Sequence, residues 1–300
     1  MRFAAIDIGS NAVRLLIADV IEKEDDLSIK KLSLTRVPLR LGASVFDTGK
    51  ISGSKAKKLA KTMKAFRYLI DVYNVKNFRA CATSAMREAS NSLEVKEKAK
   101  AYSGIDIEVI NGQTEANLIF STFKTQKLDP ETDYLYIDVG GGSTEITLLK
   151  EGRRVRARSF KIGTVRMLKE KDSKADWKEM ESWVEEVTEG EHNLIAIGTG
   201  GNINRLFKMS GHKYGELFTY DELKDLHKKV KNMSFDERVT QLRLRPDRAD
   251  VIVPAGTIYR RVLKTAGINQ MSVPKIGLSD GIALYLYRKY VAEHSDQEKH

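Results

Sequence analysis

Two short segments of this chain join an acidic residue to a glycine-rich turn. In Ala5-Ile6-Asp7-Ile8-Gly9-Ser10-Asn11 and in Tyr136-Ile137-Asp138-Val139-Gly140-Gly141-Gly142-Ser143, an apolar run leads to an Asp, one more apolar residue and a turn of small polar residues. Phosphate oxygens bind clusters of backbone N–H donors, and glycine lets the main chain come close to them. Gly9, Ser10, Asn11, Gly140, Gly141, Gly142 and Ser143 are therefore candidate phosphate contacts. Tight hairpins also use Gly and Asn for conformational reasons alone. What sets these two apart is their repetition about half a chain apart. A third run, Gly198-Thr199-Gly200-Gly201-Asn202, leads into a helical pattern. Helix N-termini attract anions, so Gly200 and Gly201 are further candidates, with a plain strand-to-helix turn as the alternative.

The carboxylates around these loops suggest a hydrolytic site. Asp7 and Asp138 end apolar runs, where a carboxylate without a cation or donors is costly. Each either holds Mg²⁺ (with Mn²⁺ as a substitute) or accepts hydrogen bonds from its own turn. Glu145 lies just past Ser143 and is a third candidate ligand, while Glu115 opens a helix after Asn111-Gly112. One of these two Glu residues can hold the metal and the other can take a proton from an attacking water. A Glu in a first turn also serves its own helix dipole. Arg14, beyond the first loop, and Ser84 and Arg87 in Thr83-Ser84-Ala85-Met86-Arg87-Glu88-Ala89 add donors suited to phosphate. For Ser84 and Arg87 the alternative is a helix cap and a surface charge pair. Arg154, Arg156 and Arg158 alternate, as residues sharing one face of a strand do, and Arg243, Arg245, Arg248, Arg260 and Arg261 form a second basic group. Either group is a track for a polyanion or simply a solvated basic surface.

Hydrophobic periodicity supplies the elements that must position these residues. Strands are expected over 4–8, 13–20, 29–40, 78–82, 105–110, 134–139, 144–149, 154–160 and 194–197. Helices are expected over 55–73, 90–101 (capped by Ser90 or Asn91), 114–123, 177–187, 202–209, 220–230, 249–266 with an interruption at Pro254, and 280–291. Glu22 to Asp26 reads as a loop or hairpin tip, and Ala292 to His300 as a disordered polar tail. The repeat implies two similar α/β domains facing each other across a cleft. The expected division is 1–125 and 126–284, placed in the polar stretch around Pro130, with 285–300 crossing back to the first domain.

Composition narrows the classes of function. The net charge of +10 favours acidic partners rich in phosphate. A nucleic-acid role explains that charge but not the paired loops. Only 5 His, well dispersed, and a single Cys offer no zinc spacing and no Ser/His/Asp arrangement. Cys81 cannot form an intramolecular disulfide, and its apolar setting reads as a buried small hydrophobe in a reducing cytoplasm. No secretory signal is visible, and no apolar run approaches the roughly 18 residues needed to span a membrane.

Taken in order, Ala5 to Asn11, Ala82-Thr83-Ser84-Ala85-Met86-Arg87-Glu88-Ala89-Ser90-Asn91, Asp138 to Glu145, Gly198 to Gly201 and Arg245-Pro246-Asp247-Arg248-Ala249-Asp250 resemble the exopolyphosphatase / guanosine pentaphosphate phosphohydrolase family. That family is part of the actin–sugar kinase–Hsp70 superfamily. The resemblance runs along nearly the whole chain. It implies two ribonuclease-H-like domains around a cleft, a homodimer, and Mg²⁺-assisted release of terminal phosphate from polyphosphate or pppGpp. It also maps the family's catalytic Glu to Glu115, in Gly112-Gln113-Thr114-Glu115-Ala116, and associates Glu145 with the metal and the attacking water. Ala12, Asn111, Thr114 and Ser279-Asp280 differ from the residues usual in that family. A sensor that holds polyphosphate or (p)ppGpp with little turnover, and a kinase or ATPase of the same superfamily, are the alternatives.

Overall fold

The computed structural model describes residues 1–23, 26–125, 129, 131–191 and 193–295. The chain divides into two compact units, Met1–Lys127 with Ile276–His300 and Leu128–Lys275. The return to the first unit begins at Ile276 instead of near 285. Of the expected hairpin tip 22–26, Glu22, Lys23 and Asp26 instead belong to strands, while residues 24–25, the linker residues 126–128 and 130, and the tail 296–300 lie outside the described residues.

The first unit begins with β1 (Arg2–Ile8), β2 (Val13–Lys23) and β3 (Asp26–Val37), then α1 (Leu41–Thr48), α2 (Gly53–Val72), β4 (Asn77–Ala82), α3 (Ser84–Glu88), α4 (Ser92–Ser103), β5 (Ile107–Val109) and α5 (Gly112–Phe120). Its five-stranded sheet runs β3-β2-β1-β4-β5, with an antiparallel β1–β2–β3 meander and parallel β4 and β5. The second unit contains β6 (Asp133–Val139), β7 (Thr144–Lys150), β8 (Arg153–Phe160), α6 (Thr164–Leu168), α7 (Lys174–Thr188), β9 (Leu194–Thr199), α8 (Gly201–Ser210), β10 (Leu217–Thr219), α9 (Tyr220–Asn232), α10 (Phe235–Thr240), α11 (Pro246–Ala249), α12 (Ile252–Thr265) and β11 (Gln270–Ser272). Its six-stranded sheet runs β10-β11-β9-β6-β7-β8, again an antiparallel meander followed by parallel strands β9 and β11, with β10 antiparallel at the edge. The last helix, α13 (Leu278–Ser295), belongs to the first unit. The two sheets thus repeat one plan, in which β1, β2, β3 and β4 correspond to β6, β7, β8 and β9.

β1 shows why the first motif reads as an apolar run. It is a central strand covered on both faces, and all its residues after Arg2 are buried. α13 lies against it, with the rings of Tyr287 and Tyr290 set edge-on to Phe3. In the second unit, Leu135, Ile137, Ile146 and Leu148 form a core with Trp177 and Trp183 of α7 and Phe207 of α8. α7 and α9 begin with reciprocal capping boxes, Ser173 with Asp176 and Thr219 with Glu222.

Several elements depart from the periodicity reading. Asn91 stands at the N-cap of α4 but makes no side-chain cap bond. Its amide instead brackets the Ile51 backbone, accepting from N–H and donating to C=O, each at 2.9 Å. Pro254 does not interrupt a helix. It falls in the first turn of α12, where its missing N–H has no intrahelical partner to lose. The break comes earlier, between α11 and α12. α13 extends to Ser295, so residues 292–295 are helical. The short helices α1 and α6 and the three-residue strands β10 and β11 were not anticipated, being too short to show a period.

Gly281 sets the packing of α13 on α5. A Cβ at this position would lie 2.0 Å from the Leu118 carbonyl oxygen, a backbone atom with little freedom to yield. Gly281→Ala is expected to lower unfolding stability by about 1–3 kcal/mol, measured by urea denaturation of the whole chain. Stability equal to the wild type would show that α13 shifts at no cost.

Candidate active site

In the first unit, the hairpin between β1 and β2 closes with Gly9 N–H donating to the Ala12 carbonyl at 3.1 Å. The Ser10 and Asn11 carbonyls accept from Gly42 and Arg40 N–H at 2.8 and 2.9 Å, which ties the loop to the start of α1. Gly42 permits this approach, since a Cβ there would meet Ser10 Cβ at 2.8 Å. Asp7 and Arg14 are opposite one another on β1 and β2, and Arg14 Nη1 donates to Asp7 Oδ2 at 2.6 Å. The buried hydroxyls of Ser10 and Ser84 lie 2.8 Å apart.

Glu115 sits in the first turn of α5 and is buried. Asn111 caps this helix by accepting from Thr114 N–H at 2.7 Å. Arg87 donates to the Ile110 carbonyl at 2.7 Å and comes within 3.8 Å of Glu115 Oε2. Cys81 stands opposite Asp7 on β4 and is fully buried. Burial pushes its thiol up to about 12, so it remains protonated and inert near neutral pH.

In the second unit, strand pairing builds one row across four neighbouring strands. Ser159 of β8 is opposite Glu145 of β7, Glu145 is opposite Asp138 of β6, and Asp138 is opposite Thr199 of β9. Ser159 Oγ donates to Glu145 Oε1 at 2.8 Å, and Thr199 Oγ1 donates to Asp138 Oδ1 at 2.9 Å. Behind Thr199, the Tyr136 hydroxyl bonds to its Oγ1, and the Tyr259 hydroxyl donates to its carbonyl. Burial first, then the Asp138 charge, push both phenols well above their usual range, so both remain protonated donors. Gly200 carries the turn past Asp138 with φ of 110°, a conformation that favours glycine.

The second glycine loop docks on α6. Gly140 N–H donates to the Ser143 carbonyl at 2.9 Å, repeating the closure of the first loop. The Gly140 carbonyl accepts from Thr164 N–H at 3.0 Å, and the Gly141 carbonyl from Val165 N–H at 2.7 Å. The Gly142 carbonyl accepts from Arg166 Nε at 2.8 Å. In a trans peptide, the C=O of one residue and the N–H of the next point in opposite directions, and the described peptides contain no cis bond. With the three carbonyls turned toward α6, the N–H groups of Gly141, Gly142 and Ser143 point away from it. Three successive donors of this kind make an anion-binding concavity.

The donor chemistry of Asp138 and Glu145 fits a hard cation. Mg²⁺ is commonly held by one or two carboxylates, with waters and phosphate oxygens completing its shell. Among the described residues, no three His, Cys, Asp or Glu side chains come together as a ready-made metal cluster. Asp7 already has the Arg14 guanidinium as its counter-cation, an arrangement unlike the carboxylate pair of the second unit.

The structure therefore brings the anticipated residues together as Asp7 with Arg14, Ser10 with Ser84, Arg87 with Glu115, and Asp138 with Glu145. Gly200 is drawn to Asp138, and Gly201 opens α8. The arginines 154, 156 and 158 do not form a simple one-faced stripe. A register shift between Leu148 and Leu149 sets Arg154 opposite Leu149 and Arg156 opposite Leu148. Arg156 pairs with Glu186 of α7 at 2.8 Å, and Arg158 pairs with Glu179. In the other basic group, Arg261 pairs with Glu181 at 2.6 Å and stacks on Trp177.

Tyr136, Ser159, Gly163, Arg166, Thr199 and Tyr259 were not singled out from the sequence. Tyr136 carried a signal, since it lies two residues before Asp138 and so on the same strand face. Thr199 lay inside the third glycine run. Ser159, Gly163, Arg166 and Tyr259 carried no local mark.

The matches to known proteins agree with this geometry. Residues 20–289 match the Ppx/GppA phosphatase family. Exopolyphosphatase 1 of Mycobacterium bovis is 25% identical, over 95% of this chain and 88% of its own length. The guanosine-5'-triphosphate,3'-diphosphate pyrophosphatase of Vibrio parahaemolyticus is 26% identical, over 93% of this chain and 58% of its own. Among solved structures, an exopolyphosphatase from Cytophaga hutchinsonii superposes with a TM-score of 0.82 at 25% identity, covering 94% of this chain and 96% of that one. Its fold is that of two ribonuclease-H-like domains, and the chain belongs to the Ppx/GppA phosphatase family.

Proposed function

We propose that this chain hydrolyses the terminal phosphoanhydride bond of a linear polyanion, either inorganic polyphosphate or guanosine 5'-triphosphate 3'-diphosphate, with water as the attacking group. The observation that carries this reading is the trio of N–H groups at Gly141, Gly142 and Ser143, set beside the Asp138–Glu145 carboxylate pair. Transfer of a terminal phosphoryl group to water depends mainly on positioning and on neutralising the charge of its oxygens. The trio binds phosphate oxygens, and the N-terminus of α8 at Gly200 and Gly201 adds to the positive field. Asp138 and Glu145 hold Mg²⁺, which when bound offsets phosphate charge. Glu115 takes the proton of the attacking water, and Arg87 orients it from 3.8 Å. Gly9, Ser10, Asn11, Ser84 and Arg14 form a second set of phosphate contacts, with Arg14 steadied by Asp7.

The names of the relatives, exopolyphosphatase and guanosine-5'-triphosphate,3'-diphosphate pyrophosphatase, support this substrate class. A homodimer working in a reducing cytoplasm completes the proposal. The lone, buried thiol of Cys81 is consistent with that compartment, and no described helix is long and apolar enough to cross a membrane.

The test is phosphate release from polyphosphates of defined length, pppGpp and ATP, with and without Mg²⁺. Mg²⁺-dependent release from polyphosphate or pppGpp, with ATP much poorer, is the expected result. No release from either by folded protein overturns the proposal.

A further inference from the structure

The hydroxyl chain that ends on Asp138 has a direction that hydrogen-bond chemistry fixes. An ionised carboxylate only accepts, so the single hydroxyl proton of Thr199 goes to Asp138 Oδ1, at 2.9 Å. Thr199 Oγ1 then has only lone pairs to offer Tyr136, and the Tyr136 proton must go to Thr199. The chain Tyr136→Thr199→Asp138 is therefore polarised toward the carboxylate. Thr199 is wholly buried and Tyr136 nearly so, which leaves neither hydroxyl an easy exchange with water. The Tyr259 hydroxyl holds the backbone beneath this chain, bonding to the carbonyls of Thr199 and, at 3.3 Å, Ile137.

The first unit lacks this device. The residue opposite Asp7 on β4 is Cys81, where β9 presents Thr199 to Asp138. The residue opposite Asp7 on β2 is Arg14, where β7 presents Glu145. The same strand-end Asp is thus bound to a cation in one repeat and oriented by a buried hydroxyl in the other.

We propose that Thr199, backed by Tyr136, is a positioning residue that presets the Asp138 carboxylate for a divalent cation. This rests on the assignment of Asp138 as a cation ligand made above. Groups that orient a metal ligand typically change metal affinity or activity by about 10–100-fold when removed.

The experiment compares Thr199→Val, Thr199→Ser and Tyr136→Phe with the wild type in two assays. One is Mn²⁺ binding followed by electron paramagnetic resonance without substrate, and the other is phosphate release against Mg²⁺ concentration. Thr199→Val keeps the shape and loses the hydroxyl, so it is expected to weaken Mn²⁺ binding by about 10-fold or more and to raise the half-activating Mg²⁺ concentration in parallel. Thr199→Ser restores the hydroxyl and is expected to remain near the wild type. Tyr136→Phe, which leaves Thr199 in place, is expected to fall between them. Polyphosphate KM at saturating Mg²⁺ should not change.

Mn²⁺ affinity in Thr199→Val equal to the wild type overturns the proposal, as does a loss in Thr199→Ser as large as in Thr199→Val. If Thr199→Val does not fold, Mn²⁺ affinity in Tyr136→Phe equal to the wild type overturns it. A wild type that binds no Mn²⁺ also sinks it. A wild type that binds Mn²⁺ but releases no phosphate instead overturns the hydrolase reading and leaves the positioning role standing.

Discussion

Glu115→Gln is expected to reduce phosphate release by about 10²–10⁴-fold, the usual contribution of a positioned general base. Gln has nearly the shape of Glu but cannot take up a proton at neutral pH. The change leaves α5 otherwise intact, because its cap is made by Asn111 to Thr114 N–H and not by Glu115. Removing one negative charge from a helix's first turn costs up to about 2 kcal/mol in a buried setting such as that of Glu115. The loss should therefore appear in kcat, while polyphosphate binding measured by calorimetry persists. Unchanged turnover in the variant would remove Glu115 from the chemistry, and tight binding alongside it would favour a sensor that holds the polyanion with little hydrolysis.

The second large effect is expected at Gly163, a residue that touches no substrate in this proposal. Its backbone is extended, with φ of −156°, so any residue can adopt it without strain. Space is the obstacle. A Cβ at Gly163 would lie 2.5 Å from the carbonyl carbon of Gly142 and 2.6 Å from Ser143 N. Both are backbone atoms of the phosphate loop, so Gly163→Ala must push that loop off α6 and turn its N–H groups. A displacement near 1 Å at a reacting centre can cost about 10²-fold in rate, and overpacking of this sort costs about 1–3 kcal/mol in stability. Gly53→Ala is the control, since a Cβ there meets nothing within 4 Å. The expected result is slow phosphate release in Gly163→Ala and normal release in Gly53→Ala. Normal release in both would mean that the three N–H groups do not hold the reacting phosphate.

These two positions differ in how visible they were. Glu115 was legible because Asn111-Gly112 marks a helix start and the motif around it is distinctive. Gly163 was invisible. It lies beyond the end of β8, and its importance arises only when α6 folds back onto the loop after β6. The internal repeat was legible for a related reason. A strand, an Asp, a tight turn and a returning strand form a local unit whose pattern survives in the sequence, and short hairpins also set which residues face each other. That local rule is enough to bring Arg14 opposite Asp7 and Glu145 opposite Asp138.

What this amino-acid sequence determines by itself, then, is the order of elements, the two glycine hairpins and the strand-end position of each Asp. Periodicity records which side of an element is buried, and turn chemistry records where the chain reverses. Neither records which residue of a distant strand lies alongside. Thr199 reaches Asp138 only after the chain has passed through β7, β8, α6 and α7 and returned parallel to β6. The tertiary structure alone therefore decided what the distant strand presents to each Asp, Cys81 to Asp7 in one repeat and the Thr199 hydroxyl to Asp138 in the other.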